Sequence, residues 1–185
     1  LYKERSNSWQ LQKILAVEKD ADAIFEALDL LGQDDTVKFD ATAYTIGISA
    51  CAKVAQTQRA CELLNASLRA KVEADVVCFN AAISACDKGE KWQEAFRLLD
   101  RMHHSKLEAN VRSFSGAISS CTKVAWQHAV SMHHQMSKAH VEPNIYSFSA
   151  CITSTEKSAL WSLALAFVKH MKKATVQPNV VNLNA

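Results

Sequence analysis

Apolar residues in this chain follow the spacing of one helical face, and they do so twice within every stretch of about 35 residues. Between Val76 and Asn110, Phe79, Ala82, Ile83 and Cys86 stand at i, i+3, i+4 and i+7. Gly89 breaks the pattern, and Trp92, Ala95, Phe96, Leu99 and Met102 resume it. Two short amphipathic helices with a brief loop between them predict an antiparallel hairpin. The same phrase then returns along the chain. Aromatic Tyr44, Phe79, Phe114 and Phe148 keep one register, as do Ile48, Ile83, Ile118 and Ile152 in the first helix and Ala60, Ala95, Ala129 and Ala164 in the second.

The exits between hairpins repeat as well. Val37, Val72, Leu107, Val141 and Val176 are separated by 35, 35, 34 and 35 residues, each within a short polar phrase that ends on Asp40, Asp75, Asn110, Asn144 or Asn179. The missing residue falls between Cys121 and Ala129, in the gap between two helices, where a deletion costs least. A fixed period of this length marks a stack of supersecondary units, each burying its face against its neighbours. The expected fold is all-α, an α-solenoid of units 41–75, 76–110, 111–144 and 145–179, with residues 180–185 opening a further unit. First helices are expected near 42–53, 77–88, 112–123 and 146–157, and second helices near 57–69, 92–104, 126–138 and 161–173. Residues 1–40 are less regular. Asp22 to Leu31 and Trp9 to Val17 read as helices of a divergent unit or N-terminal cap, since an end unit needs an altered outer face.

Composition changes this picture little. The chain of 185 residues is 49% hydrophobic with 4 Gly and 2 Pro, which favours a packed helical fold over disorder or a turn-rich β fold. No uncharged apolar run approaches the roughly 18 residues of a membrane span, so no membrane insertion is expected. No signal-peptide pattern opens the sequence, and the absent initiator Met suggests a segment of a longer protein. Charge is uneven: residues 1–40 carry 5 basic and 9 acidic side chains, residues 111–179 carry 7 and 2. The basic end favours a polyanionic partner.

The six cysteines contain no Cys-x-x-Cys pair. Cys51, Cys86 and Cys121 occupy one repeat position and read as small buried filler rather than metal ligands. The pairs His103–His104 and His133–His134 fall late in second helices and read as C-terminal cations. No phosphate-cradling glycine loop, nucleophile motif or deaminase signature occurs, so no catalytic activity and no cofactor are expected.

The openings Val76-Val77-Cys78-Phe79-Asn80 and Ile145-Tyr146-Ser147-Phe148-Ser149, the Ala-x-x-Leu-Leu-x-x-Met run from Ala95 to Met102 and the Pro-Asn exits resemble pentatricopeptide repeats. Tetratricopeptide repeats have a similar period but place Trp, Gly and Tyr in the first helix; here Trp92, Trp126 and Trp161 open the second. The resemblance covers residues 41–185 well and 1–40 poorly. It implies a right-handed superhelix that binds single-stranded RNA in its concave groove, one base per repeat.

It further implies that the fifth residue of each unit and the unit's last residue read a base together. These are Thr45 with Asp75, Asn80 with Asn110, Ser115 with Asn144, and Ser149 with Asn179, all short and polar. Asp or Asn at the exit also suits a cap for the next helix. The family's code then gives a preference of about G-(C/U)-A-A. The second residues, Thr42, Val77, Arg112, Tyr146 and Val181, would sandwich the bases. The lysines at position thirteen, Lys53, Lys88, Lys123 and Lys157, would meet phosphates, or serve as cations at helix C-termini. The expected role is an RNA-binding adaptor for transcripts of a mitochondrion or plastid. The rival is a scaffold in a large organellar assembly, a ribosome or membrane complex, contacting mainly protein.

Overall fold

The computed structural model describes residues 41–70, 72, 74–121 and 125–178. The expected helices of residues 1–40, the opening of a further unit at 180–185, and the candidate residues Lys123, Asn179 and Val181 lie outside the described residues. Among the described residues eight helices follow in order: α1 Ala41–Lys53, α2 Thr57–Arg69, α3 Val76–Lys88, α4 Trp92–His104, α5 Val111–Ser119, α6 Trp126–Lys138, α7 Ile145–Lys157 and α8 Trp161–Lys173. No strand occurs among the described residues.

Each odd-numbered helix packs on the even-numbered helix that follows it, and the odd helices also pack side by side, α1 on α3, α3 on α5 and α5 on α7. The even helices α2, α4 and α6 wedge against the first helix of the next hairpin. The result is a two-layered α-solenoid. Its core is a continuous ladder: Ile48, Phe79, Ile83, Ile118, Phe148 and Ile152 from the first helices, Leu64, Met102, Met136 and Met171 from the second, all almost wholly buried. Such a ladder exists only between neighbours, which is why one hairpin has no core of its own.

The helix boundaries have local causes. First helices begin one residue earlier than expected because Asp75, Asn110 and Asn144 are N-caps, and helical geometry starts immediately after a cap. The Oδ1 of Asn110 accepts from the Ser113 N–H at 3.1 Å, and Ser113 Oγ accepts from the Asn110 N–H at 3.2 Å, closing a capping box. Asn144 and Ser147 form the same box. Helix α5 stops at Ser119 rather than near residue 123: the Cys121 N–H bonds the Ile118 carbonyl at 3.0 Å, tightening the last turn.

At the other end, the chain leaves each second helix through a Schellman turn. The Leu107 N–H reaches back to the Met102 carbonyl at 2.9 Å, Val141 to Met136 at 3.0 Å and Val176 to Met171 at 3.1 Å. This motif places an apolar residue where it packs on the last turn of the helix, which explains the recurring Val or Leu of the exits. It also requires a left-handed residue, and Lys106, His140 and Thr175 occupy that place with φ of 56°, 55° and 58°. The turns within hairpins use Ala55, Glu90 and Ala159 in the same way.

Gly89 is required by a close approach. A Cβ at this position would lie 2.3 Å from Thr57 Oγ1 and 3.2 Å from the Ala85 carbonyl oxygen. The Thr57 hydroxyl, at the start of α2, donates to the Ala85 carbonyl near the end of α3 at 2.9 Å and so pins one hairpin to the next. Gly89→Ala displaces that hydroxyl and strands buried polar groups, an expected loss of about 1–3 kcal/mol. Chemical denaturation checks it; unchanged stability would mean the turn yields freely.

Cys51, Cys86 and Cys121 are buried, as their shared repeat position implied. Cys51, Cys86, Cys121 and Cys151 are fully buried and free, and burial pushes the thiols of Cys51 and Cys121 up to about 11 and about 12. No cluster of three or more metal-ligating side chains occurs among the described residues. The histidines divide. His104 is exposed beside Asp100 near the end of α4. His133 is 4% exposed, packed against Phe148 and Phe167 at ring separations of 4.9 and 5.3 Å. Burial, with His170 and His134 nearby, lowers its pKa to about 4, so it is neutral at pH 7 and is not the helix cation its position suggested.

Candidate nucleic-acid interface

The first helices α3, α5 and α7 lie side by side and border an open groove of about 790 Å³. Gly116 brings two of them close: a Cβ there would sit 2.9 Å from the Ile83 side chain. Asn80, Ser115, Asn144 and Ser149 line the groove, as do Arg112 and Tyr146. Five of these six come from the two interleaved rows that the repeat register singled out, at the second and fifth residues of a unit; Asn144 is an exit residue.

The fifth residues meet the exit residues in two of the units. Asn80 Nδ2 donates to Asn110 Oδ1 at 3.4 Å, and Ser115 Oγ donates to Asn144 Oδ1 at 3.3 Å. Thr45 instead donates to the Ala41 carbonyl and lies 2.8 Å from Cys78 Sγ, while Asp75 accepts from the Cys78 N–H at 2.9 Å. Ser149 donates to the Ile145 carbonyl at 2.6 Å; its partner Asn179 lies outside the described residues. Asn110 is not among the residues that line this groove; it borders a separate cleft of about 1390 Å³ between α4 and α6.

Capping fixes which end of each exit amide is left uncommitted. Asn144 Oδ1 accepts from the N–H groups of Tyr146 and Ser147 at 3.1 and 3.0 Å, and only an oxygen can accept them. Asn144 Nδ2 has no partner among the described residues, and Asn144 is one of the residues that line the groove. Ser115 spends its proton on Asn144 and keeps oxygen lone pairs. That pair thus presents a donor and an acceptor side by side. The Asn80 unit differs. Ser113 Oγ donates to Asn80 Oδ1 at 2.6 Å, and Asn110 Oδ1 is held by the N–H groups of Arg112 and Ser113. The amide nitrogens of Asn80 and Asn110 keep uncommitted N–H groups there. Asn80 is 7% exposed, so only its rim is open to a ligand.

The second-row residues stand out from the surface. Tyr146 is 73% exposed and Val77 55% exposed, and Thr42 and Arg112 are exposed too. Lys53, Lys88 and Lys157 are the exposed last residues of α1, α3 and α7. Two groups escaped the sequence reading. Position three, Cys78, Ser113 and Ser147, is buried, and in two cases it anchors the fifth residue of the preceding unit. Its signal was small polar residues in an otherwise apolar register. Asp87 contributes the carboxylate among the groove residues; burial raises its pKa, while a hydrogen bond from Ser119 opposes that shift.

A solenoid of helical hairpins whose first helices line an open polar groove defines the class: an α-helical repeat protein. A model of the pentatricopeptide repeat domain matches residues 63–124 and 131–185, and the chain belongs to the pentatricopeptide repeat family. Its fold resembles maize PPR10, solved in complex with an 18-nt psaJ RNA element, with a TM-score of 0.82 and 22% identity over 96% of this chain and 26% of that one. The PPR domain of Arabidopsis thaliana protein-only RNase P 1, in complex with tRNA, matches with a TM-score of 0.79 and 14% identity over 98% of this chain and 95% of that one. The nuclear proteinaceous RNase P 2 of A. thaliana gives 0.83 and 11% over 98% and 40%. The chain spans about a quarter of the length of PPR10. No curated protein sequence matches it. No described helix is long and apolar enough to cross a membrane.

Proposed function

We propose that this chain binds single-stranded RNA sequence-selectively, one base per repeat, as a non-catalytic adaptor for mitochondrial or plastid transcripts. The observation that carries this reading is the division of labour at Asn144. One end of its amide caps α7, and the other lies in the groove beside an accepting Ser115 oxygen. Adenine offers the complement, an N6–H donor next to the N1 acceptor. The N–H groups left over in the Asn80–Asn110 unit suit the acceptors O2 and N3 of cytosine, in keeping with a pyrimidine there. Tyr146 and Arg112 at the groove rim suit stacking on base faces. The similarity to PPR10 and to the RNase P 1 domain, both solved with RNA, supports the same direction. With Thr45–Asp75 for G and Ser149–Asn179 for a second A, the preferred order from the N-terminal unit is G-(C/U)-A-A, and Lys53, Lys88, Lys123 and Lys157 follow the phosphates.

Asn144→Asp is a clean probe because Asp caps a helix as well as Asn does. The helix N–H groups and the Ser115 hydroxyl keep their acceptor. Only the groove-facing donor becomes an acceptor, which suits the N1–H and N2–H of guanine and opposes adenine N1. Preference at this base should move from A to G by about 1–3 kcal/mol. Two oligonucleotides differing at that base, titrated at one salt concentration, measure it. Equal loss of affinity for both counts against base reading, and a wild-type chain that binds no RNA points to the protein scaffold.

A further inference from the structure

Between the row of fifth residues and the row of terminal lysines runs a third row that neither the repeat phrase nor the base-reading scheme accounts for. The ninth residue of every unit is a hydroxyl: Ser49, Ser84, Ser119 and Thr153. Ser84, Ser119 and Thr153 line the 790 Å³ groove, and all four are half-buried.

Their hydrogen bonding sets them apart. A helical Ser or Thr ordinarily turns its hydroxyl back onto a carbonyl of the preceding turn. The neighbouring tenth residues do so, Ser120 to Ala117 at 2.7 Å and Ser154 to Cys151 at 2.8 Å. None of the four makes such a bond among the described residues, and Ser119 lines the groove together with the Asp87 carboxylate, whose charged form it favours. Half-buried hydroxyls left open along a groove are available to a ligand.

Position nine lies one turn from position five and one turn from position thirteen, about 6 Å along the helix from each. In a nucleotide the ribose lies between base and phosphate. We infer that the ninth-position hydroxyls Ser84, Ser119 and Thr153 receive the ribose 2′-hydroxyl and make the groove select RNA over DNA. The 2′-hydroxyl is both donor and acceptor, and so are these side chains; at Ser119 the carboxylate of Asp87 directs the exchange, with the 2′-hydroxyl donating to Ser119 Oγ. This inference rests on the RNA-binding reading above.

The test compares the wild-type chain with the triple variant Ser84→Ala, Ser119→Ala, Thr153→Ala on two oligonucleotides containing the same bases G-C-A-A, one ribose and one 2′-deoxyribose. The wild type is expected to bind the ribose strand more tightly. The variant is expected to lose about 3–10-fold per removed contact on the ribose strand while its affinity for the deoxyribose strand is unchanged. Alanine favours helix over serine and threonine, and a circular-dichroism melt confirms that the variant folds; the single variant Ser84→Ala serves if it does not. Equal wild-type affinity for the two strands overturns the inference and leaves RNA binding standing. So does an unchanged affinity ratio in the variant, or a parallel loss on both strands. Absence of any wild-type binding to the ribose strand overturns the RNA-binding reading and this inference with it.

Discussion

Acidifying the protein from pH 6.5 towards pH 4 should weaken the stack by about 2–3 kcal/mol through one side chain, and His133→Leu should remove most of that loss. In the folded chain His133 holds out against protonation until about pH 4, because it is buried between α6, α7 and α8 with Phe148, Phe167 and the ring of His170 around it. In the unfolded chain a histidine takes up its proton near pH 6.5. Between those values the unfolded state binds the extra proton, so stability falls with falling pH, by at most about 1.4 kcal/mol per unit. Above pH 6.5 both states are neutral and the slope vanishes. His133 Nε2 also has no hydrogen-bond partner among the described residues, a buried polar atom left unsatisfied. Leucine removes both penalties and should raise stability at pH 7 by about 1 kcal/mol or more. Urea denaturation of both proteins at pH 7, 6, 5 and 4.5 supplies the comparison. Carboxylates contribute equally to the two curves, so the difference between them is the readout. Parallel curves would show that His133 is hydrated or partnered in solution.

Ala95→Trp should cost about 3 kcal/mol, the upper end of what overpacking does to a close-packed core. Ala95 is fully buried in α4, and Ala60 and Ala129 at the same repeat position are equally inaccessible. The distance at Ala129 shows how little room the position has: Cys151 Sγ on α7 comes within 3.7 Å of the Ala129 carbonyl oxygen. An indole at Ala95 has to push α4 away from α5, and because hairpins are stabilised by their neighbours, the damage spreads to both sides. The expected result is a lowered thermal midpoint with reduced cooperativity. A melt like that of the wild type would place Ala95 outside the packed seam.

Much of the fold was legible because its causes are local. The N-cap Asn144 and the apolar face of Phe148 and Ile152 mark α7 whatever else surrounds them, and the observed start differs from the expected one by a single residue. The Trp92, Trp126 and Trp161 positions open second helices as their register implied. The burial of His133 was not legible in the same way. Its neighbour His134 has the same chemistry and is exposed, and one step around the helix decides between solvent and the phenyl rings of the next hairpin. The left-handed turn residues were also hidden, since Lys106, His140 and Thr175 carry none of the glycine that such a turn usually announces. In the groove, the register picked out rows of residues but not who bonds to whom. Thr45 and Asn80 share a position, yet a thiol at Cys78 faces one and a hydroxyl at Ser113 the other.

The capping role of the exit residues has an evolutionary consequence. Asp75, Asn110 and Asn144 each hold the start of a helix, and in the proposed reading the same side chains also contact bases. A lineage that retargets such a protein by point mutation is therefore not free to try all twenty amino acids there. A change to Leu or Lys removes the cap as well as the contact and carries a folding defect of about 1 kcal/mol into every generation that keeps it. Drift is confined to Asp, Asn, Ser and Thr, so in the proposed reading the vocabulary of bases at these sites is set by what can start a helix before it is set by what can be read.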